Sequence, residues 1–168
     1  MPRTYISALM ALAGVFAMVV SAQQTAEEIS FPDGFRNWFE VNSMVVTKNS
    51  VPFSPIAGMH FIHLNAKGRA VLENGGPFPY PDGTIFADDV HEFSEVEGSY
   101  VEGQKKAVTV MVKDAQRYAE TGGWGFQAWA NGDPSKPIVH NKAQAISACL
   151  SCHAPRKAQD YVYSTYIP

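Results

Sequence analysis

Charge, cysteine and long apolar runs are all scarce in this 168-residue sequence, and each scarcity excludes a class of protein. Charged residues make up only 17% and the formal net charge is −3, so nothing in the chain could neutralise a run of nucleic-acid phosphates. Beyond the N-terminus, no segment is apolar enough to cross a membrane. Internal repeats and low-complexity tracts are absent. The hydrophobic fraction, 46%, is enough for one sizeable core, which predicts a single domain.

The N-terminal segment has the pattern of a secretory signal peptide. Arg3 precedes an apolar run at residues 6–20, and Val20-Ser21-Ala22 places small residues where signal peptidase requires them. We therefore predict a signal peptide at residues 1–22, cleavage after Ala22, and export of residues 23–168 to the periplasm as one domain. The alternative is an N-terminal anchor that the protein retains. Export would place the two cysteines in an oxidising compartment.

The two cysteines lie close together near the C-terminus. Residues 149–153 read Cys-Leu-Ser-Cys-His, the C-x-x-C-H pattern of covalent haem attachment. Two thiols at this spacing share one helical turn and can reach the two vinyl groups at one edge of a porphyrin. The histidine that follows then binds the iron as the proximal ligand. The motif predicts one haem c, attached through two thioethers at Cys149 and Cys152 and ligated by His153.

Three other uses of these cysteines are less favoured. A disulfide between Cys149 and Cys152 would close a tiny loop and stabilise little. A thioredoxin-like pair needs a preceding strand and a long following helix, with more chain beyond the motif than is present here. A zinc site needs a fourth ligand, and the other histidines form no paired spacing with the cysteines.

Periodicity and turn signals predict a strand-rich body. Strands are predicted at residues 60–64, 84–93, 107–112, 125–129 and 161–166, the last closing an edge of the sheet. Helices are predicted at residues 35–41, 65–73 and 114–120, and a final helix from about Lys142 carries the haem motif. The expected fold class is α+β and mainly β: one antiparallel sheet with a few short helices packed on it, and the haem-binding motif on the C-terminal helix.

The order of these motifs resembles the cytochrome P-460 family, which includes the nitric oxide-binding cytochromes c′-beta. Its most specific pieces are the Pro-Asp-Gly-Thr turn at 81–84, the Val-Lys-Asp-x-x-Arg stretch at 112–117, Trp124 and the late C-x-x-C-H motif. The resemblance covers residues 31–168. It implies a mainly β homodimer with a five-coordinate haem and an open distal face. In members that bear the name, a lysine is cross-linked to the porphyrin and the enzyme oxidises hydroxylamine; in the c′-beta members, the link is absent and the haem binds nitric oxide behind a cap of phenylalanines.

The position of the cross-linking lysine departs from the family pattern. That lysine belongs at the end of the short helix before the Gly-x-Phe…Asp-Gly-Thr turn, where this sequence has Glu73 and Asn74. The nearest lysine, Lys67, lies about two helical turns earlier and would point elsewhere on a regular helix. A cross-link at Lys67 stays an alternative. The departure weakens the implication of hydroxylamine oxidation.

The predicted strand at 59–64 supplies the candidates for the distal side of the haem. In a regular strand Met59, Phe61 and His63 share one face, and His60, Ile62 and Leu64 share the other. The family's distal arginine aligns near His60, to within one residue. His60 would then donate a hydrogen bond to a bound ligand or shuttle protons, whereas in the alternative register Phe61 forms an apolar lid. The simpler interpretation of His60 is a core histidine bonded to a backbone carbonyl.

A sixth protein ligand would change the function to electron transfer. The side chains with suitable donor atoms are Met44, Met59, Met111, His60, His63 and His91. Methionines on apolar strands are by default core residues. Near the haem, Lys113 and Arg117 either pair with propionates or face solvent.

Two functions of different classes follow. The first is the binding or sensing of a small diatomic or nitrogenous ligand, nitric oxide above all, by a five-coordinate haem. The second is the oxidation of hydroxylamine or another small nitrogen compound, with electrons passed to a periplasmic carrier cytochrome. Simple electron transfer is less favoured. Small helical cytochromes c carry the motif near the N-terminus and a methionine downstream, whereas residues 154–168 contain no methionine.

Overall fold

The structure, a computed structural model, describes residues 29–50 and 56–167. The predicted signal peptide at residues 1–22 lies outside the described residues. In the part of the chain that the structure describes, no helix combines the length and the apolar character needed to cross a bilayer.

A five-stranded antiparallel sheet forms the body of the protein, and its strands follow one another in chain order. They are β1 (Phe39–Val46), β2 (Gly58–Leu64), β3 (Ile85–Val96), β4 (Ser99–Lys113) and β5 (Trp124–Ala130). Each strand is long enough to alternate side chains between two faces, so the register decides which residues can meet. Among the described residues, β3 and β4 beyond His91 and Lys105 pair only with each other, as a two-stranded ribbon.

Two helical regions accompany the sheet. Helix α1 (Ala66–Asn74) connects β2 to β3 and ends at Gly75, which adopts the left-handed conformation (φ 64°) common at helix ends. The second region, which we call the C-terminal helix, consists of Lys142–Gln144, a π-helical turn at Ala145–Leu150, Ser151–His153 and a 3-10 stretch at Ala154–Gln159. Asn141 caps its start by accepting a hydrogen bond from the backbone N–H of Gln144.

The predicted fold class is confirmed. The observed architecture is one antiparallel sheet with few helices, and the C-x-x-C-H motif lies on the C-terminal helix. The predicted strands at 60–64, 84–93, 107–112 and 125–129 correspond to β2 through β5, and the predicted helix at 65–73 corresponds to α1.

Three predicted elements are wrong. Residues 35–41 form only a 3-10 turn at Phe35–Asn37, because the chain then enters β1 and pairs with β2. Residues 114–120 form turns followed by a short 3-10 helix at Ala119–Thr121. The Asp114 carboxylate accepts from the backbone N–H groups of Gln116 and Arg117, a local pattern that competes with an α-helix. Residues 161–166 form no strand. Asp160, just before that segment, and Tyr161, its first residue, are both left-handed, and polar groups of the segment bond the C-terminal helix instead of a strand.

The two faces of the sheet are covered by different parts of the chain. What we call the helix face is defined by Leu64, Phe86, Met111 and Phe126. Leu72 of α1 and, from the C-terminal helix, Cys149 and Leu150 pack on it. What we call the opposite face is defined by Ala87, Val108, Val110 and Trp129, with Phe35 packed on it. The haem motif therefore belongs to the helix face alone.

Replacing Leu64 tests how the helix face is packed. Its side chain is fully buried against Gly68 of α1, where a Cβ atom would come within 2.7 Å of Leu64 Cδ1. We expect Leu64→Ala to lower the free energy of unfolding by roughly 2–5 kcal/mol, because it leaves a cavity between β2 and α1. Urea denaturation of the holoprotein measures this. Val101→Ala, on the exposed ribbon, should stay within about 0.5 kcal/mol of wild type; equal losses would contradict the assigned core.

Candidate functional site

The C-x-x-C-H motif spans the end of the π-helical turn and the α-helical turn that follows it. Both cysteines are free thiols, not a disulfide, and both are partly buried. Burial, with a smaller effect of neighbouring Cys152, raises the pKa of the Cys149 thiol to about 11. Within the described residues, no group of three or more His, Cys, Asp or Glu side chains is arranged to hold a metal ion.

His153 is oriented as a metal-binding histidine. Its Nδ1 lies 2.8 Å from the Tyr161 carbonyl oxygen, and because a carbonyl can only accept, Nδ1 carries the proton. Its Nε2 makes no hydrogen bond within the described part of the chain. Burial lowers the pKa of His153 and so favours the neutral ring. The hydrogen bond to the Tyr161 carbonyl raises the pKa, but burial has the larger effect. A neutral imidazole with Nδ1 anchored and Nε2 free is the form that binds iron.

The carbonyl that orients His153 belongs to an unusual backbone turn. Asp160 and Tyr161 both adopt positive φ values, 50° and 67°. The Trp124 indole N–H donates to the Asp160 carbonyl oxygen at 2.8 Å. On the other side of the motif, the Tyr163 hydroxyl donates to the Cys152 carbonyl oxygen at 2.7 Å. Residues 160–163 thus hold the C-x-x-C-H motif in place by hydrogen bonds that involve backbone carbonyl oxygens.

Lys113 occupies neither of the two places expected from the sequence. Its side chain is 3% exposed, and Nζ donates to Asp160 Oδ1 at 2.7 Å and to the Gly122 carbonyl at 3.2 Å. It therefore neither faces solvent nor is available for a propionate, because the Asp160 carboxylate holds it. Arg117, by contrast, lies on an exposed turn and lines a cavity, so pairing with a propionate stays a prediction for it.

That cavity has a volume of about 710 Å³ and borders the C-terminal helix along β5. Its wall includes Trp124, Phe126, Arg117 and Ala145. Ala145 lies one helical turn before Cys149, and the Phe126 ring contacts the His153 ring with centroids 5.5 Å apart. The volume is within the range of cofactor sites, but Cys149, Cys152 and His153 are not among the residues that line the cavity.

Beyond Phe126, the helix face carries small and polar side chains. Ala107, Thr109, Ala128 and Ala130 follow Met111 and Phe126 along β4 and β5, and all four are only half-buried. Asp88 is paired with Thr109 in the same register. Among the described residues, the buried acceptor Asp88 Oδ1 has no hydrogen-bond partner, nor does Asn42 Oδ1 on β1. A surface with small side chains and unsatisfied acceptors leaves room for a flat group and a small polar ligand.

His60 lies on the helix face, and both of its ring nitrogens are bonded. Nδ1 is 2.7 Å from Asp88 Oδ2, and Nε2 is 2.9 Å from the Ile56 carbonyl oxygen. Since both partners only accept, both nitrogens must donate, and the ring is an imidazolium. Burial lowers the His60 pKa, but the hydrogen bond and charge of Asp88 outweigh it, so the net shift is upward. The hydrogen bond to the Ile56 carbonyl agrees with the simpler interpretation of His60 as a core histidine bonded to the backbone. The bond to Asp88 was not predicted from the sequence.

Phe61 lies on the opposite face, because side chains alternate along β2. Its ring contacts that of His91 at 5.8 Å, and it lines a small pocket with Arg36 and Glu102. In the observed register it is thus His60, and not Phe61, that shares a face with the haem motif. An apolar lid formed by Phe61 over the iron is therefore not compatible with this arrangement of the chain.

The other candidates for a sixth iron ligand are distributed over both faces. The opposite face holds Met59, His63 and His91, as their alternation with His60 and their contacts indicate. Met111 is packed in the core of the helix face. Met44 pairs with His60 across the edge strand β1 and is exposed. Of this set, Met44 is the side chain that combines the correct face with accessibility.

The end of α1 carries no lysine. Glu73 accepts a hydrogen bond from Arg69 Nε at 2.7 Å, and Asn74 Nδ2 donates to the Ala70 carbonyl at 2.8 Å, both on the exposed side of the helix. Lys67 lies against the turn at 81–84, with Nζ 3.5 Å from the Asp82 carbonyl oxygen. Whether Lys67 is cross-linked to a haem stays a prediction.

A buried ionic cluster on the opposite face was not predicted. Asp89 is fully buried and bonds Arg36 Nε at 2.6 Å and Lys105 Nζ at 2.8 Å. Burial raises the Asp89 pKa, but the bonds from Lys105 and Arg36 outweigh it and hold the pKa below its usual range. These partners are 53 and 16 residues away in sequence, so no local pattern could have revealed them.

Together these features define a class of protein: a mainly β domain whose C-x-x-C-H motif and neutral, anchored histidine fit a haem. The family model described as Cytochrome P460 matches residues 32–164. The chain belongs to the cytochrome P460 family and is a haem-binding cytochrome. No curated protein matches the chain significantly.

The His60–Asp88 pair makes stability depend on pH. Because the folded His60 has a pKa above its ordinary 6.5, the pair stabilises the protein fully below that pH, and the contribution is lost as the pH rises through the raised pKa. We expect Asp88→Asn to lower the His60 pKa and to flatten this dependence. NMR titration and urea denaturation across neutral pH measure both. Glu73→Gln, an exposed carboxylate on α1, is the control, and an unchanged His60 pKa in Asp88→Asn would contradict the pairing.

Proposed function

We propose that the protein is an exported mono-haem c-type cytochrome that binds nitric oxide or a related small nitrogenous ligand at an open position of a five-coordinate haem. The haem is held by thioethers to Cys149 and Cys152 and by His153. The observation that carries this proposal is the His153–Tyr161 hydrogen bond, which fixes one tautomer and leaves Nε2 for the iron.

The haem supplies a coordination position and a redox couple when bound. The chain supplies orientation and surroundings. His153 is held by the backbone, and Phe126 packs against its ring. Ala107, Thr109 and Ala128 leave space on the helix face, because their side chains are small. Asp88 and His60 add a charged pair at this face, which can polarise or hydrogen-bond a ligand if the pair rearranges.

Five-coordination is supported by the positions and hydrogen bonds of the side chains that could bind the iron as a sixth ligand. Both nitrogens of His60 are engaged, Met111 is in the core, and the remaining histidines described as candidates lie on the opposite face. Met44 is exposed on the correct face but belongs to the edge strand β1. A haem without a sixth protein ligand binds external ligands directly, whereas a methionine-ligated haem transfers electrons.

A second candidate function is the oxidation of hydroxylamine, and one observation favours it. Two of the buried acceptors that have no hydrogen-bond partner among the described residues, Asp88 Oδ1 and Asn42 Oδ1, lie on the helix face. Such acceptors suit a ligand that donates hydrogen bonds, as hydroxylamine does and nitric oxide does not. The absence of a lysine at Glu73 and Asn74 speaks against a family-type cross-link. Electrons would pass to a periplasmic carrier cytochrome.

Export to the periplasm and a homodimeric state are part of the same proposal. The signal-peptide pattern at residues 1–22 supports export. The homodimer is supported by the family resemblance.

Optical spectra and mass spectrometry of the purified protein test the main proposal. We expect thioether-linked haem on the peptide containing Cys149 and Cys152, high-spin ferric and ferrous spectra, and one nitric oxide bound per haem, because the iron has an open position. Cys149→Ala should lose one thioether. Met44→Leu is the control and should keep the wild-type spectrum. A low-spin spectrum without added ligand would instead support electron transfer, and a strongly red-shifted ferrous Soret band would indicate a lysine–porphyrin link.

Turnover of hydroxylamine separates the two candidate functions. For a nitric oxide-binding protein we expect no steady-state oxidation of hydroxylamine with an artificial electron acceptor. If turnover is observed, Asp88→Asn should reduce it by roughly 100-fold, because it removes a carboxylate able to accept a proton. Asp89→Asn makes the same chemical change on the opposite face and is the matched control. Turnover that both variants reduce equally would indicate a general loss of structure.

A further inference from the structure

Lys113 and Asp160 form an ion pair that is almost completely buried beneath the haem motif. Their side chains are 3% and 7% exposed, and Lys113 Nζ lies 2.7 Å from Asp160 Oδ1. The ammonium also lies over the Trp124 ring, 4.9 Å from its centroid. Burying two charges carries a large desolvation cost, so such a pair is weak evidence for stability and invites a different explanation.

Asp160 is bonded through every polar atom of its side chain. Oδ1 accepts from Lys113, and Oδ2 accepts from the backbone N–H of Tyr80 at 2.8 Å. Its own carbonyl accepts from the Trp124 indole. Three separate elements, the end of β4, the segment before β3 and the start of β5, therefore hold this one residue in place.

The conformation held there is costly for residues other than glycine. Asp160 and Tyr161 both have positive φ, and two such residues in succession persist only where the surroundings over-determine them. The turn determines the direction in which the Tyr161 carbonyl points. Tyr161 C=O points back to His153 Nδ1, at 2.8 Å. Strain at this turn is thus linked to the orientation of the histidine.

We propose that Lys113 and Asp160 are positioning residues for the axial ligand: they hold the turn at Asp160 and Tyr161 so that the Tyr161 carbonyl accepts from His153. This rests on the proposed ligation of haem iron by His153. A strong acceptor at Nδ1 gives the imidazole partial anionic character, which makes Nε2 a better donor and stabilises the oxidised iron. The buried pair thereby sets the strength of the iron–histidine bond, although neither residue contacts the ligand site.

The test measures that bond in holoprotein variants. In Asp160→Asn and Lys113→Met we expect haem to remain attached, the ferrous iron–histidine stretching band in resonance Raman spectra to move to lower frequency, and the reduction potential to rise. Trp124→Phe, which removes the indole donor to the Asp160 carbonyl but keeps an aromatic ring beside Lys113, should shift both in the same direction by less.

The double variant Lys113→Met/Asp160→Asn separates positioning from stability. It leaves no unpaired buried charge, so its unfolding midpoint should recover relative to either single variant. Its stretching band and potential should stay displaced. Asp89→Asn, which removes the fully buried carboxylate that pairs with the more exposed Lys105 and Arg36 on the opposite face, should lower the unfolding midpoint and leave both haem signals at wild-type values.

Wild-type signals in the folded double variant, or the same displacement in Asp89→Asn, would overturn the proposal. Where a single variant fails to fold, the double variant and Trp124→Phe decide in its place. Wild-type protein that lacks thioether-linked haem or an iron–histidine band would overturn the proposed function itself. A normal wild type with unshifted variants would overturn only the role of the buried pair.

Discussion

The hydrogen bond between His153 Nδ1 and the Tyr161 carbonyl is the interaction on which the proposed haem site depends. It selects the tautomer in which Nε2 can accept and orients the ring, which lies against Phe126. Its acceptor is eight residues further along the chain, in a turn whose two left-handed residues need outside support. That support comes from Lys113, Trp124 and the backbone of Tyr80. Asp160 and its neighbour Tyr161 therefore connect residues of the sheet to the C-x-x-C-H motif by hydrogen bonds.

The sheet places two sets of ionisable residues on opposite faces, where they do not compete for the same partners. On the helix face, Asp88 pairs with a protonated His60. On the opposite face, one residue further along β3, the buried Asp89 is neutralised by Arg36 and Lys105. Adjacent carboxylates on one strand point to different sides because the side-chain period of a strand is two. Two successive acidic residues, the half-buried Asp88 and the fully buried Asp89, thus each have their own cationic partners.

The helix face combines features that suit two neighbouring kinds of chemistry. A floor of small side chains and a histidine with a free Nε2 suit a haem that binds diatomic ligands. Two unpaired acceptors, Asp88 Oδ1 and Asn42 Oδ1, suit a ligand that donates hydrogen bonds. Both belong to the range of small nitrogen compounds, and what distinguishes them is whether the site moves protons. The charged pair of His60 and Asp88 is the group able to do so.

The sequence by itself determined the haem motif, the strand-rich class and the positions of β2 to β5, because these depend on local spacing and on alternation within a few residues. It misassigned residues 35–41, where apolar residues at helical spacing belong to a 3-10 turn and a strand, since pairing with β2 outweighs local periodicity. Only the tertiary structure decided that Lys113 is buried against Asp160, that His60 has Asp88 as its partner and that Phe61 faces away from the motif. Those outcomes depend on strand register and on contacts between residues far apart in sequence, which no local pattern encodes.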